Sequence, residues 1–499
     1  MVASLLVVLS SGWFFAHVGK EFLPEEDEGR FLIGFRAPLG IGLESSDRYL
    51  QQIEAILAAH EEVATYFTAL GFGSGGTVGQ INSGIAFVTM IPREKRTKSQ
   101  QELLTELRAE LARLPGVFAY ATRIGAVGGG RGDPLQFSVV GPELGAVAQY
   151  AERLREELSQ MPELGRIDLD LQLELPQVRI DVDRTRAANL GLGSADVAFA
   201  VNMLAGGFDI AKYNDEPGDG ERYDVRVKAA EGTLGNVSDL RKIFLRAKDG
   251  SMIRLDTVAD VREIVGPAVI HRLDLQYAAT FYSTPSIALG EALSTVRQKA
   301  AEILPLGYRI QLQGQARELT NTAAYVAFAF VLGIVLVYMV LASQFNSFIQ
   351  PLIVMIAQPL AIIGGLVALW LTGDTLNINS MIGMVLLIGL VAKNSILLVD
   401  LTNQLRRQGR GVDEALREAC PIRLRPVLMT SATVVLALTP AALGFGAGAE
   451  TNGPLAIAVI GGMISSTLLT LVVVPAVYSL VENALARRQA RRRQEHAAA

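Results

Sequence analysis

The sequence predicts a membrane α-helical bundle joined to an α+β extracytoplasmic domain. Three observations predict it. Half of the 499 residues are hydrophobic, yet 19% are charged, and mean hydropathy is +0.32. The two kinds of residue are segregated, polar and mixed from about 18 to 317, almost wholly apolar from about 318 to 482. Within the polar part the hydrophobic period switches between two, as in strands, and about 3.6, as in helices.

The elements follow in chain order. Residues 1–18 are an apolar run with Trp13, Phe14 and Phe15 and no Lys or Arg before it. It lacks the basic start of a signal peptide and barely reaches bilayer length, so it reads as the outer part of a transmembrane helix. Phe31 to Ala37 alternates as a strand. Glu44 to Ala59 places Ile53, Ile56 and Leu57 on one helical face. Val63–Leu70 and Ile85–Ile91 read as strands, Ser99–Leu114 as a serine-capped helix, and Val117–Thr122 as a closing strand. The order β-α-β-β-α-β is that of a ferredoxin-like unit. A second, split unit reads as strand Leu135–Val140, helix Leu144–Met161, strand Ile167–Leu173, strand Val269–Tyr282, helix Ile287–Leu304 and strand Tyr308–Gln313. Between its parts sits an inserted block at 178–262, with a helix at Ser194–Met203 and a polar hairpin tip at Asn214–Gly220.

Five apolar helices follow, at about 319–341, 348–371, 377–401, 426–445 and 454–481, each near bilayer length. The pairs Gly364-Gly365 and Gly461-Gly462 allow close helix approach, and Pro351, Pro359, Pro440 and Pro475 mark bends or ends. Arginines cluster at Arg406–Arg425, read as one connecting loop, and at Arg487–Arg493, in a basic tail over 482–499. The positive-inside rule makes both cytoplasmic. Two crossings separate them, which is consistent, and an odd number separates the tail from the 18–317 domain. That domain is therefore expected outside the cytoplasm.

Between Glu318 and Arg406 the only charged residues are Asp374, Lys393 and Asp400. An ammonium in mid-span costs roughly 3 kcal/mol on insertion scales. Lys393 lies about 12 Å from the nearer end of its span at helical rise, farther than a lysine stem can snorkel. A lone cation there usually has a buried partner and a task, so a role in ion coupling or gating is favoured over that of a structural lysine. Asp400, two turns away on the same face, is a possible local partner.

Other classes are disfavoured. A net charge of −5 argues against a nucleic-acid partner. Cys420 is the sole cysteine, so no intramolecular disulfide forms, and four scattered histidines offer no zinc spacing. Gly71–Gly76 matches G-x-G-x-x-G, but a dinucleotide site needs a helix directly after it, and a strand is expected there. A glycine-rich loop between strands is the better reading. Gly125–Gly132 reads as a flexible connector whose Arg131-Gly-Asp133 is incidental. No Ser/His/Asp or paired-carboxylate arrangement supports an enzyme, and no cofactor is expected.

Four segments carry a resemblance. They are Phe22-Leu-Pro-Glu-Glu-Asp-Glu-Gly29, Ser343-Gln-Phe-Asn-Ser-Phe-Ile-Gln-Pro351, Gly389-Leu-Val-Ala-Lys-Asn-Ser-Ile-Leu-Leu-Val-Asp400 and Arg423-Leu-Arg-Pro-Val-Leu-Met-Thr-Ser431. Together they resemble the C-terminal half of a resistance-nodulation-division (RND) multidrug efflux permease, of the hydrophobe/amphiphile branch, over essentially the whole chain. The resemblance implies an inner-membrane homotrimer of a Gram-negative cell, with a periplasmic adaptor (membrane fusion) protein and an outer-membrane channel as partners. Residues 30–133 would be one porter subdomain, 134–177 with 263–317 a second, and 178–262 a docking insertion whose hairpin near Asp215 reaches the neighbouring protomer.

The resemblance also implies a proton relay. Lys393 would hold two aspartates of the family's first half ionised, Thr430 would supply a hydroxyl, and Arg423 would sit at the cytoplasmic entry of the proton path. The loop Gly71–Gly84, with Gly71, Gly73, Gly76 and Gly79, would be a switch loop between drug pockets, and Phe72 and Phe87 would line a pocket. The segment carries fewer phenylalanines than the family pattern, which bears on substrate range. The tandem aspartates and first porter half do not occur in these residues, so the chain alone is expected to be inactive, with the missing N-terminal half as a partner. Two alternatives stand beside this reading. One is half of a heavy-metal exporter, which the Gly-Leu-Val-Ala-Lys-Asn stretch resembles less. The other is a non-transporting scaffold left from a disrupted gene.

Overall fold

Alternating strand and helix periods between 30 and 123 resolve into a four-stranded sheet with two helices on one face. In the computed structural model, which describes residues 2–24, 26–72, 80–125, 131–215, 218–230, 232–444 and 449–498, a first helix α1 (Val2–His17) precedes it. The sheet unit is β1 (Arg30–Arg36), α2 (Leu43–Ala58), β2 (Val63–Leu70), β3 (Ser83–Met90), α3 (Gln100–Leu111) and β4 (Phe118–Arg123), with strand order β2-β3-β1-β4, all antiparallel. Phe31, Ile33 and Phe35 of β1 pack on Leu50, Ile53 and Leu57 of α2 and on Leu103, Leu104, Leu107 and Leu111 of α3. The period-two and period-3.6 stripes thus meet in one core. A capping box between Ser99 and Glu102 starts α3. Before β1, Asp27 pairs with Arg96 and accepts the Gln100 N–H at 3.0 Å. Burial alone would raise its carboxyl pKa; the Arg96 guanidinium and backbone donors outweigh that and hold it below the ordinary value.

The second sheet begins with β5 (Leu135–Gly141), α4 (Leu144–Ser159) and β6 (Asp168–Asp170). The chain then enters a separate compact unit, residues 171–270 with 38–42. That unit holds β7 (Leu175–Val182), α5 (Arg184–Asn189), α6 (Ser194–Ala205), β8 (Phe208–Asn214), β9 (Arg222–Val227), α7 (Val237–Arg241), β10 (Phe244–Arg246), β11 (Met252–Arg254), α8 (Leu255–Val258) and β12 (Ala259–Gly266). Its core gathers Val197 of α6, Leu245 of β10, Leu255 and Val258 of α8 and Val261 of β12. The β8–β9 ribbon is exposed along its whole length.

Returning to the first unit, β13 (Arg272–Leu273), β14 (Gln276–Ser283), α9 (Leu289–Ile303) and β15 (Arg309–Leu312) complete the second sheet, ordered β13-β14-β5-β15 with β6 beside β14. The single strand expected over 269–282 is instead a hairpin. Asp274 and Leu275 turn the chain with φ of 50° and 66°. Asp-Leu lacks the glycine or asparagine that signals such a turn.

Five long apolar helical segments follow: α10 (Gly314–Phe345), α11 (Gln350–Met355) with α12 (Ala357–Thr372), α13 (Ile378–Arg407), α14 (Val412–Ala442) and α15 (Ala449–Ala498). The break at Ile356 has a cause. Pro359 lacks an N–H, and its ring crowds the Met355 carbonyl. The arginine cluster expected in one loop lies on two helix ends. Arg406 and Arg407 finish α13, while Arg417, Arg423 and Arg425 ride on α14, which starts at Val412 rather than near 426. Asp413 and Glu414 in its first turn suit the helix dipole, and the helix continues through Pro421 and Pro426.

Glycine sets the tightest crossing. A Cβ on Gly364 would lie 2.5 Å from the Gly461 carbonyl oxygen and 2.2 Å from the Ser465 Cβ; one on Gly461 would lie 2.3 Å from the Ala368 Cβ. Backbones of α12 and α15 therefore touch. Gly364→Val is expected to pry them apart, destabilising the bundle by about 1–3 kcal/mol or more. A lowered melting temperature of the purified protein in detergent checks this. An unchanged one would show that the crossing yields without loss.

Candidate functional site

Helix α13 is started by a capping box in which Asn377 and Ser380 bond each other's backbone N–H. From that start, Ile382, Leu386, Gly389 and Lys393 fall at intervals of four, three and four, and all four are exposed. This spacing makes one stripe along the helix. The opposite face is buried through Met384, Leu387, Ile388 and Val391. Lys393 thus sits on an exposed face of α13, against which none of the described residues packs closely. Among the described residues it has no carboxylate partner. Asp400 accepts instead from Gln404 at 2.8 Å.

The next residue links Lys393 to its surroundings. Asn394 is buried and lies between α13 and α14. Its Oδ1 accepts from the Thr430 hydroxyl at 3.4 Å, and its Nδ2 donates to Ser431 Oγ at 3.4 Å. Thr467 of α15 donates to Ser431 Oγ at 2.7 Å. A polar thread therefore joins three helices beside the lysine. The buried Ser395 Oγ, Thr470 Oγ1 and Arg423 Nε have no hydrogen-bond partner among the described residues. The structure so brings Thr430 against the neighbour of Lys393. It shows no contact between Arg423 and either residue, although Arg423 and Thr430 share a face of α14. Sequence reading passed over Asn394, Ser431 and Thr467. The available signal was small polar residues inside apolar helices.

In the sheet domain, Gly71 has φ of 66° and donates its N–H to the Ser83 carbonyl at 2.9 Å, which closes the base of the glycine-rich loop. Gly73, Gly76 and Gly79 lie outside the described residues. Residues 80–82 lead directly into β3. Phe72 and Phe87 are 39% and 38% exposed, so neither is a core aromatic. Phe87 pairs across strands with Phe67, itself 62% exposed, on the face away from the helices.

Two features carried no sequence signal as read. Arg131 is not incidental. It bonds Asp133 at 2.8 Å, pairs with Asp168, and lies between the Tyr120 and Tyr282 rings at 3.7 and 4.2 Å. Arg36 reaches the same Asp168 at 2.5 Å and Asp170 at 3.1 Å, so the cluster ties the first sheet to the second. Burial works against the Arg131 charge, but Asp133, Tyr120 and Asp168 outweigh it and push its pKa up. Burial also pushes Tyr282 up to about 12. The second feature is a cavity of about 650 Å³, walled by Phe330, Val331, Ile362, Leu366 and Met384, with Lys20 and Arg297 also lining it.

The model of the AcrB/AcrD/AcrF family matches residues 1–482. The chain belongs to this family, the RND permeases. It is similar to multidrug resistance protein MdtC of Yersinia enterocolitica, 29% identical over 485 residues, which is 96% of this chain and 46% of that protein. It is likewise similar to MdtC of Escherichia coli K12, 28% identical over 473 residues, 93% of this chain and 45% of that protein. Two crystal forms of a heavy metal efflux pump share its fold. One has a TM-score of 0.84 at 27% identity, covering 96% of this chain and 49% of that one. The other has 0.85 at 29%, covering 97% and 50%. The chain thus spans about half the length of the relatives it matches. It has an RND fold, with five helices long and apolar enough to cross a membrane.

Proposed function

We propose that this chain is the C-terminal half of a proton-driven RND transporter that exports drugs or other amphiphilic compounds, and that it is not an enzyme. The observation that carries the reading is Lys393 on the uncovered stripe of α13, next to the Asn394–Thr430 thread. A lone ammonium on an apolar, unpacked face is suited to receive a carboxylate-bearing helix from the missing half. While those carboxylates are ionised, Lys393 compensates them. When they take up protons the attraction is lost, and the ammonium turns toward other acceptors such as the thread. Arg423, with its unpartnered Nε, would stand at the cytoplasmic entry.

The remaining assignments follow the same reading. The β-α-β-β-α-β order and the β2-β3-β1-β4 sheet support ferredoxin-like topology for a first porter subdomain at 30–133. Residues 134–177 with 263–317 would form a second, and 178–262 a docking subdomain. The exposed β8–β9 ribbon, marginal by itself, suits insertion into a neighbouring protomer of a homotrimer. Arginine placement supports a cytoplasmic tail at 482–499, spans over 1–18 and 319–481, and a periplasmic porter. An adaptor and an outer-membrane channel would complete the path. Gly71, Phe72 and the loop to Gly84, with Phe87, would guide substrate, and the 650 Å³ cavity suits an apolar body with an acceptor group.

The test is expression in an efflux-deficient Gram-negative strain. The chain alone is expected to give no proton-coupled dye efflux. Co-expression with a polypeptide supplying the first half, including its aspartate pair, is expected to restore it. Efflux by the chain alone would overturn the half-transporter reading. The likeness to the heavy metal pump favours a second reading, metal export. Rescue of growth on metal salts, without dye efflux, would select it.

A further inference from the structure

At the end of the bundle that carries the arginines, a cavity of about 410 Å³ is lined by Phe345, Gln350, Asn403, Arg406, Arg407 and Arg410, together with a glycine. Among the described residues no carboxylate lines it. One side of its wall is a polar network, and Arg407 and Arg410 lie exposed at its mouth. Arg406 Nη1 donates to the Tyr478 hydroxyl at 2.9 Å, and that hydroxyl donates to Asn403 Oδ1 at 2.6 Å. Asn403 Nδ2 in turn donates to Gln350 Oε1 at 2.9 Å. Glu482 pairs with Arg406 at 2.9 Å, and Glu418 pairs with Arg410. These two carboxylates balance two of the three guanidiniums. Arg407 has no ion-pair partner among the described residues, so the site keeps one excess positive charge. Immediately beside Gln350, Phe348 and Leu352 are 78% and 56% exposed.

We infer that this cavity binds the phosphodiester headgroup of an anionic phospholipid. The single excess charge matches a phosphodiester monoanion. With no carboxylate in the lining, nothing there receives the cationic end of a zwitterionic headgroup. The exposed Phe348 and Leu352 place apolar surface where acyl chains would leave the headgroup. Basic pockets between membrane helices recognise anionic lipids through this combination. Binding holds Gln350 at the start of α11 and Arg406 and Arg407 at the end of α13 to one ligand. Placing the lipid in the inner leaflet rests on the orientation proposed above. The binding measurement does not, so failure of one is distinguishable from failure of the other.

The test uses the full chain purified in detergent and native mass spectrometry. Dioleoylphosphatidylglycerol, dioleoylphosphatidylcholine and glycerol 3-phosphate are offered at equal concentration. The phosphatidylglycerol is expected to be retained at least about tenfold more than the phosphatidylcholine. Arg407→Gln and Arg410→Gln are each expected to lower that retention roughly fivefold. Arg417→Gln, an exposed arginine outside the cavity, should leave it unchanged. An unaltered melting temperature for Arg407→Gln separates lost binding from lost fold. Equal retention of the two lipids, or equal loss on Arg417→Gln, overturns the site. Binding of glycerol 3-phosphate as tight as that of the lipid assigns the cavity to soluble phosphates and overturns the lipid reading.

Discussion

Lys393→Met is expected to abolish proton-coupled efflux in cells that also supply the complementary half, a loss of at least about 100-fold. The side chain is exposed and has no bonding partner among the described residues, so stability of the isolated chain should change by no more than about 0.5 kcal/mol. The two halves should still assemble. Activity and folding are thereby separated. Measuring dye efflux against an imposed proton gradient, with membrane abundance quantified in parallel, checks both parts. Asn394→Leu makes a useful companion, because it removes the bridge to Thr430 while leaving the ammonium in place. Efflux retained by Lys393→Met, at normal abundance, would remove this residue from any relay.

Arg131→Leu is expected to destabilise the sheet domain by about 3–5 kcal/mol. The cost comes from what is left behind. Asp133 and Asp168 have side chains only 7% and 4% exposed, and each would lose a cation that burial makes hard to replace with water. Arg131→Lys should recover little, since an ammonium cannot both stack between Tyr120 and Tyr282 and bond two carboxylates. Adding Asp168→Asn to Arg131→Leu should restore part of the loss, the signature of direct coupling. Thermal melting of the purified protein, with proteolysis at the junction between the two sheets, reads the effect. A melting temperature matching that of the unaltered protein would mean that the sheets are held together by other contacts.

The sheet domain was legible where a period met a core. Phe31, Ile33 and Phe35 alternate on β1, and Leu103, Leu104, Leu107 and Leu111 stripe α3. Both patterns point inward, so local pattern and tertiary packing agree. The hairpin at Asp274–Leu275 was not legible, because its turn residues resemble the strand around them. The early start of α14 was hidden because Arg406–Arg425 reads as one connecting loop, whereas the helix runs through Pro421 and Pro426. Lys393 stood out since charge in an apolar span is rare. Asn394 did not, although it does the joining, because an amide beside a lysine carries little hydropathy signal. The Arg131 cluster was invisible for a different reason. Its members, from Arg36 to Tyr282, are drawn from four strands and a connector, and only the meeting of two sheets brings them together.

The glycine crossing between α12 and α15 has a mechanical consequence. Two helices in backbone contact cannot slide without collision, and α13 is keyed to them by buried side chains. In their most apolar stretches α12, α13 and α15 are 56%, 56% and 50% buried by protein, against 6% for α10 and 11% for α14. Among the described residues α12, α13 and α15 are therefore the inner helices of the bundle, while α10 and α14 expose most of their apolar stretches. Thr430 and Arg423 lie on α14, whereas Lys393 and Asn394 lie on α13. The 3.4 Å contact between Thr430 and Asn394 therefore bridges an outer and an inner helix, where a small rotation of α14 would lengthen or break it.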